Sequence, residues 1–151
     1  MTDSECRMTN HFVIRHSTLE IHRHMSTKQI IRPSASPAAV GPYNHAVRVG
    51  DLLFCSGQIP LDPATGQLIA GDIRAQTERV LENVQAILAD QKLTFANVVK
   101  ATVFMTNLGD FAAMNEVYAR YFTADFPARS TVQVAALPRG AAVEIAVVAH
   151  Y

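Results

Sequence analysis

The pattern of hydrophobic and polar positions predicts two strands near the start of the folded part of the chain. Residues 45–49 and 52–56 are short apolar runs, and Gly50 and Asp51 between them are typical of a hairpin turn. The Pro-, Gly- and Ala-rich residues 34–42 come before this hairpin and predict an extended loop.

A change of periodicity marks the first predicted helix. Apolar residues now recur three and four positions apart, which is the spacing of one helix face. Asp72 is the expected N-cap, and Arg74 and Glu78 belong to the polar face. The residues expected to point into the core are Ile73, Val80, Leu81, Val84, Ile87 and Leu88.

Three further strands and a second helix follow. Residues 98–106 predict a strand whose apolar side is formed by Val99, Ala101, Val103 and Met105. Residues 110–123 predict a helix with an inner stripe of Phe111, Met114, Tyr118, Tyr121 and Phe122. Residues 131–136 and 142–149 predict the last two strands, joined across residues 138–140.

The resulting order, β-β-α-β-α-β-β, predicts an α+β fold: a two-layer sandwich in which two helices cover one face of a mixed sheet. The last strand is apolar on both faces, with Val143 and Ile145 on one side and Ala146 and Val148 on the other. If helices cover only one face of the sheet, the apolar side chains on the other face, Ala146 and Val148, stay in contact with water. We therefore expect a further burial partner, most simply another subunit.

Composition is consistent with this picture. The chain has 151 residues, 49% hydrophobic and 17% charged, so one domain can bury a substantial core. The formal net charge of zero gives no attraction to nucleic acid or to an anionic membrane, and it favours association. Cys6 and Cys55 form no disulfide framework, and we expect a reducing, cytoplasmic location. No apolar run approaches the roughly 20 residues of a membrane-spanning helix.

Residues 1–28 differ from the rest because they lack clear periodicity and are rich in histidine. His22 and His24 could belong to a metal site, but a disordered polar extension is the favoured interpretation. Met25 begins a sequence typical of a natural start, and no apolar stretch has signal-peptide length. We expect an N-terminal extension followed by a domain at residues 29–151.

Two charged residues stand out as candidate functional groups. Glu144 interrupts an apolar strand. If it is buried there, its carboxylate needs a partner or a proton, and in that position it could activate a water. It could instead be an exposed residue at a strand edge. Arg129 comes just before the strand at residues 131–136. It could clamp a carboxylate, or it could form a structural salt bridge, for example to Glu144.

Two weaker candidates are uncharged. Asn115 lies beside the apolar stripe of the second helix, where it could fix a ligand or satisfy nearby backbone. Ser56 and Gly57 follow an apolar strand. A glycine there permits close approach of a ligand to the backbone, although such a strand end is also a common turn.

Several chemistries lack their sequence signals. The chain has no nucleophile elbow, phosphate loop or dinucleotide fingerprint. His45 and His150 are the only histidines in residues 30–151, too few and too isolated for a typical zinc site. Acid–base chemistry without a metal or cofactor is the class that remains.

Several segments together resemble the RidA (YjgF) family of reactive-intermediate deaminases, and they occur in that family's order. They are Val40-Gly41-Pro42-Tyr43, Ser56-Gly57-Gln58-Ile59-Pro60, Leu81-Glu82-Asn83-Val84, Phe126-Pro127-Ala128-Arg129-Ser130 and Val143-Glu144-Ile145. The resemblance covers residues 29–151. It is specific because its motifs are spread along the whole of this range.

This resemblance implies a chorismate-mutase-like fold and a homotrimer with three sites at subunit interfaces. It implies hydrolysis of 2-imino acids such as 2-iminobutanoate and 2-iminopropanoate, or of their enamine tautomers, to 2-keto acids and ammonia. No cofactor or metal is implied. In the family, pyridoxal-phosphate-dependent dehydratases release these intermediates.

The resemblance also assigns roles by position. Arg129 matches the arginine that holds the substrate carboxylate, and Glu144 matches the acidic residue near the attacking water. The residues that match the lining of the pocket are Tyr43, Ser56, Gly57 and Asn115. Thr131 stands where many members have a cysteine, which excludes thiol modification there but leaves a backbone N–H for the substrate.

Three other functions stay open from the sequence. The chain could be a regulatory protein that binds small carboxylates without turnover. It could be the ribonuclease or translation inhibitor sometimes associated with this family, although a neutral charge and the lack of a basic stripe disfavour that role. Chorismate mutase activity rests on fold analogy alone, and fold does not fix function.

Overall fold

A six-stranded sheet organises the computed structural model, which describes residues 27–33 and 41–151. The strands are β1 (Gln29–Ile31), β2 (Ala46–Val49), β3 (Leu52–Gln58), β4 (Val98–Met105), β5 (Ala128–Gln133) and β6 (Val143–His150), and the helices are α1 (Ile73–Asp90) and α2 (Phe111–Tyr121). The strand order is β1-β2-β3-β6-β4-β5. Only the β4–β5 pair is parallel among these strands, so the sheet is mixed, as predicted.

Both helices pack on the same side of the sheet and form one hydrophobic core with it. All six α1 residues predicted to point inward are buried. The predicted N-cap is confirmed, because the Asp72 carboxylate accepts a hydrogen bond from the Ala75 N–H at 3.0 Å. The α+β prediction is therefore confirmed for the arrangement of helices and sheet.

Three strand boundaries differ from the predictions. β1 was not expected at all, because three residues are too few to show an alternating pattern. β3 continues to Gln58, which pairs with Ile145 beyond a register shift. β5 begins at Ala128, so Arg129 lies inside a strand and not before it.

Two residues predicted to be buried are exposed. Val99 is 48% exposed because a register shift between Val98 and Lys100 interrupts the alternation along β4. Phe111 is 38% exposed; it is the first residue of α2, and its ring faces the edge of the sheet and not its centre. The remaining inner-stripe residues of α2 are buried or half-buried.

The second face of the sheet is open to solvent in the single chain. Phe54 is 45% exposed and lies opposite the half-buried Val148, and Val132, on the same face, is 43% exposed and lies opposite Phe104. This is the apolar surface predicted from the last strand. No helix in the described ranges is long and apolar enough to cross a membrane.

Some expectations fall outside the described residues. The predicted N-terminal extension is described only at residues 27 and 28, and the alternative metal site at His22 and His24 lies outside that part. Most of the predicted loop at residues 34–42 also lies outside it.

Candidate functional site

The Arg129 side chain rests on two aromatic rings at the β5 edge of the sheet. Its guanidinium carbon lies 4.6 Å from the centroid of the Tyr118 ring and 5.7 Å from that of Phe111, both on α2. Attraction to the π faces holds the cation in place without neutralising it. Burial raises the pKa of Tyr118 to about 12, against the opposing effect of the Arg129 charge, so the phenol stays neutral.

A depression of about 450 Å³ opens beside this guanidinium, and we call it the Arg129 depression. Its lining residues are Asn115, Tyr118, Ala119, Phe126, Pro127 and Arg129. Asn115 and Arg129 therefore line the same depression. The exposed Phe126 ring, 69% accessible, adds an apolar wall.

Thr131 lies in an adjoining depression with Arg129, Leu108 and Phe111. Its side-chain oxygen is buried and has no hydrogen-bond partner among the described residues. β5 is also the last strand of the sheet on this side, so backbone groups that point away from β4 are free of sheet hydrogen bonds. Donors and acceptors for a polar ligand are thus available next to Arg129.

Glu144 lies on β6, where its carboxyl group is packed over Gly57 of the neighbouring strand β3. A Cβ atom added at Gly57 would overlap the Glu144 carboxyl group. The glycine is therefore needed for the carboxylate itself, whereas the sequence suggested only a close ligand approach. Burial raises the pKa of Glu144, because desolvation disfavours the charged form.

Ser56 has a fixed hydrogen-bonding direction. Its hydroxyl donates to the Asn44 carbonyl oxygen at 2.6 Å, and its backbone N–H donates to the His45 carbonyl at 2.9 Å. With its proton committed, the Ser56 hydroxyl can only accept from a ligand or water. The bond ties β3 to the chain just before β2.

These residues form a second cavity, also of about 450 Å³, which we call the Glu144 cleft. Its lining residues are Tyr43, Ser56, Gly57, Ile59, Leu61, Pro138, Arg139 and Glu144. Four of them were not predicted. Ile59 and Leu61 are held by Asn83 of α1, whose side-chain amide donates to their carbonyl oxygens at 3.2 and 2.9 Å.

The sequence could have indicated a structural role for Asn83. It is a buried amide on the apolar face of a helix, and such a group needs partners. Arg139 lay in the link between two predicted strands, where no periodicity indicates the direction of a side chain.

The Arg129 depression and the Glu144 cleft lie on opposite faces of the sheet. Arg129 pairs with Ala101 of β4, which is buried against the helices. Glu144 pairs with Phe104, three positions further along β4 and so on the other face. Strand spacings put the two Cα atoms roughly 14 Å apart. A salt bridge between Arg129 and Glu144, one of the sequence alternatives, is wrong within one chain.

The described residues contain no group of three or more His, Cys, Asp and Glu side chains placed to hold a metal ion. Cys55 is buried, and desolvation raises its pKa to about 12, so its thiol stays protonated. The polar groups of the two cavities are the guanidinium groups of Arg129 and Arg139, one carboxyl group, hydroxyls, an amide and backbone N–H groups.

Comparison with known proteins fixes the family. The model of the family described as "Endoribonuclease L-PSP" matches residues 33–151. The chain belongs to this family, which is also called YjgF–RidA. The resemblance drawn from the sequence is confirmed.

Individual relatives carry different names. The chain is 57% identical to the protein DfrA of Myxococcus xanthus over 124 residues, which cover 81% of this chain and 95% of the relative. It is 46% identical to the 2-iminobutanoate/2-iminopropanoate deaminase of Capra hircus, covering 81% of this chain and 89% of the relative. The structure of E. coli TdcF with bound serine has 44% identity and a TM-score of 0.78, covering 82% and 98% of the two chains.

Proposed function

We propose that the protein hydrolyses 2-imino acids, such as 2-iminobutanoate and 2-iminopropanoate, to 2-keto acids and ammonia. The observation that carries the proposal is that the chain presents an accessible guanidinium on one face of the sheet and a partly buried carboxyl group of raised pKa on the other. The first suits a substrate carboxylate and the second suits a general base. Relatives that are 43–46% identical to this chain are named 2-iminobutanoate/2-iminopropanoate deaminase.

The proposed enzyme is a homotrimer with a chorismate-mutase-like arrangement. In it, the Arg129 depression of one subunit faces the Glu144 cleft of the next. The opposite-face geometry supports this arrangement, because one chain cannot bring the two groups together. The open apolar face around Phe54 and Val132 supports it too, since a second subunit would remove that area from water.

Substrate binding would begin at Arg129. Its paired N–H donors match a carboxylate, and a charge-assisted hydrogen bond of this kind contributes about 1.5–3 kcal/mol. Backbone N–H groups near Gly57 and Thr131 would orient the same carboxylate. Asn115 and Tyr43 would line the space around the rest of the molecule.

The chemical step needs only a placed water. Glu144 in its ionised form accepts a proton from the water as the oxygen attacks the imine carbon. The proton then passes to nitrogen, the tetrahedral amino alcohol loses ammonia, and a 2-keto acid remains. Ser56, which can only accept, would help to orient the water. Positioning and polarisation suffice because the imine also hydrolyses spontaneously.

The test is acceleration of imine hydrolysis in an assay in which a dehydratase generates the imine. Arg129→Ala should fold normally and lose the acceleration, a drop of about 10- to 150-fold if the clamp has the usual strength. Arg120→Ala is the matched control: Arg120 is an exposed arginine on α2 whose nearest acidic partner, Glu78, is 4.0 Å away. Full activity of folded Arg129→Ala would overturn the proposal.

A binding role without turnover is the second candidate, favoured by the serine found in the TdcF structure. It predicts tight binding of a 2-keto acid that depends on Arg129, together with imine hydrolysis at the spontaneous rate. Calorimetry and the dehydratase assay on the same preparation distinguish the two functions.

A further inference from the structure

Arg139 is held in a conformation that arginine rarely adopts. Its φ and ψ angles are 58° and 14°, in the left-handed region, and Gly140 after it is also left-handed. A non-glycine residue in this region costs free energy that the surrounding structure must supply. Such strain gathers at functional positions, and Arg139 lines the Glu144 cleft.

A second turn fixes the Arg139 side chain. Its Nη1 donates to the Gly66 carbonyl oxygen at 2.8 Å. That turn is braced by Asp62, whose carboxylate accepts from the backbone N–H groups of Ala64 and Thr65 at 2.8 and 2.9 Å. The guanidinium is thus held by the left-handed backbone of its own turn and by a hydrogen bond to the turn at Gly66.

The positive charge of Arg139 is not neutralised. The Gly66 carbonyl is uncharged and occupies one of five donors. Arg139 forms no ion pair with any of the described residues. Glu144, in the same cleft, owes its raised pKa to desolvation, with no opposing contribution from Arg139. Arg139 is therefore a cation that lines the cleft and has no carboxylate partner among the described residues.

We infer that Arg139 is a specificity residue that selects imino acids with a second acidic group. This inference rests on the proposed function and extends it. Arg129 of one subunit would hold the carboxylate next to the imine, and Arg139 of the other would bind the distal carboxylate. The cleft has about 450 Å³, within the range of sites for ligands far larger than a four-carbon acid.

The reaction itself is unchanged. Water adds to the imine carbon and ammonia leaves, so an imine of a dicarboxylic amino acid gives a dicarboxylic 2-keto acid. Only the second contact is new, and it lies away from the reacting atoms.

The experiment compares two imines generated in place by amino acid oxidases, one from alanine and one from aspartate. Wild type should prefer the dicarboxylic imine. Arg139→Gln should lower kcat/KM for that imine about tenfold and change it for the alanine imine by less than about twofold, as expected for one exposed charge-assisted contact. Arg139→Lys, which keeps the charge, is the matched control and should retain most of the preference.

Each outcome decides a different point. If both imines are accelerated but Arg139→Gln affects them equally, the selectivity inference is wrong and the proposed function stands. If neither imine is accelerated, the proposed function fails. Calorimetry then tests the site by itself: tighter binding of 2-oxoglutarate than of 2-oxobutanoate, lost in Arg139→Gln, would support Arg139 as an acid-binding group, and equal binding would overturn it.

Discussion

The Arg129 depression and the Glu144 cleft differ in how far their charged side chain is exposed to solvent. Arg129 stays exposed and packs against the ring of Tyr118, so its guanidinium remains accessible to an anion. Glu144 is partly buried over Gly57, and its charged form is penalised. Under the proposed function, the first surface would bind the substrate anion and the second would move a proton. In the proposed trimer these tasks belong to different chains.

The largest expected effect comes from mixing two inactive variants. Arg129→Ala and Glu144→Gln should each reduce imine hydrolysis to the spontaneous rate. Mixed trimers should recover about a third of the wild-type rate, because one of the three sites in each combines an intact Arg129 with an intact Glu144. Differently tagged chains, purified through both tags, provide the mixed oligomers.

The control for this experiment is Arg129→Ala mixed with a chain that carries both substitutions. No site in that mixture has Arg129, so it should stay inactive. If the first mixture is as inactive as its parents, the two residues do not combine across subunits.

A smaller effect is expected from the ring beneath the guanidinium. Tyr118→Leu should raise KM about 2- to 30-fold with little change in kcat, the range expected when a cation–π contact of about 0.5–2 kcal/mol is lost. Tyr118→Phe keeps the ring and should behave like wild type. Equal kinetics of the two variants would show that the ring does not position Arg129.

The smallest effect concerns stability and pH at Glu144. A pKa raised by folding means that the folded chain holds this proton more tightly, so stability is lost as pH rises through the folded pKa. Glu144→Gln should therefore unfold a few degrees higher than wild type at neutral pH. The gap should close below the ordinary glutamate pKa of about 4.3. The activity of the wild type should instead rise with pH as Glu144 ionises. Calorimetric melts at several pH values measure the stability, and a pH–rate profile measures the activity.

Much of the fold could be predicted because its signals are local. The spacing of apolar residues in α1 and the cap at Asp72 follow from neighbours in the sequence. The start of β5 could not be predicted in this way. Arg129 and Ser130 belong to a strand because they pair in parallel with β4, and no local alternation encodes that pairing.

The candidate site could likewise be predicted only in part. The residue pattern already indicates Arg129, Glu144, Asn115, Ser56 and Gly57 as candidates; the family resemblance adds Tyr43 and Thr131 and assigns the roles, which remain proposals. Their separation onto opposite faces depends on the register of three strands, which the sequence pattern does not contain. Arg139 could not be predicted as a lining residue, because a turn has no periodicity from which the direction of a side chain can be inferred.

The central place of β6 has a consequence for how the molecule forms. β6 is the last strand in chain order, yet it lies between β3 and β4, and it pairs residues as distant in sequence as Leu52 and His150. Such non-local pairing slows folding, because the connecting chain must lose its freedom before the contacts form. The β2–β3 hairpin can form early, but the sheet cannot be completed until β6 inserts. Glu144 therefore reaches Gly57 only at a late stage, and a chain stalled before that stage leaves β3 and β4 each with one unpaired edge, which is a route to aggregation.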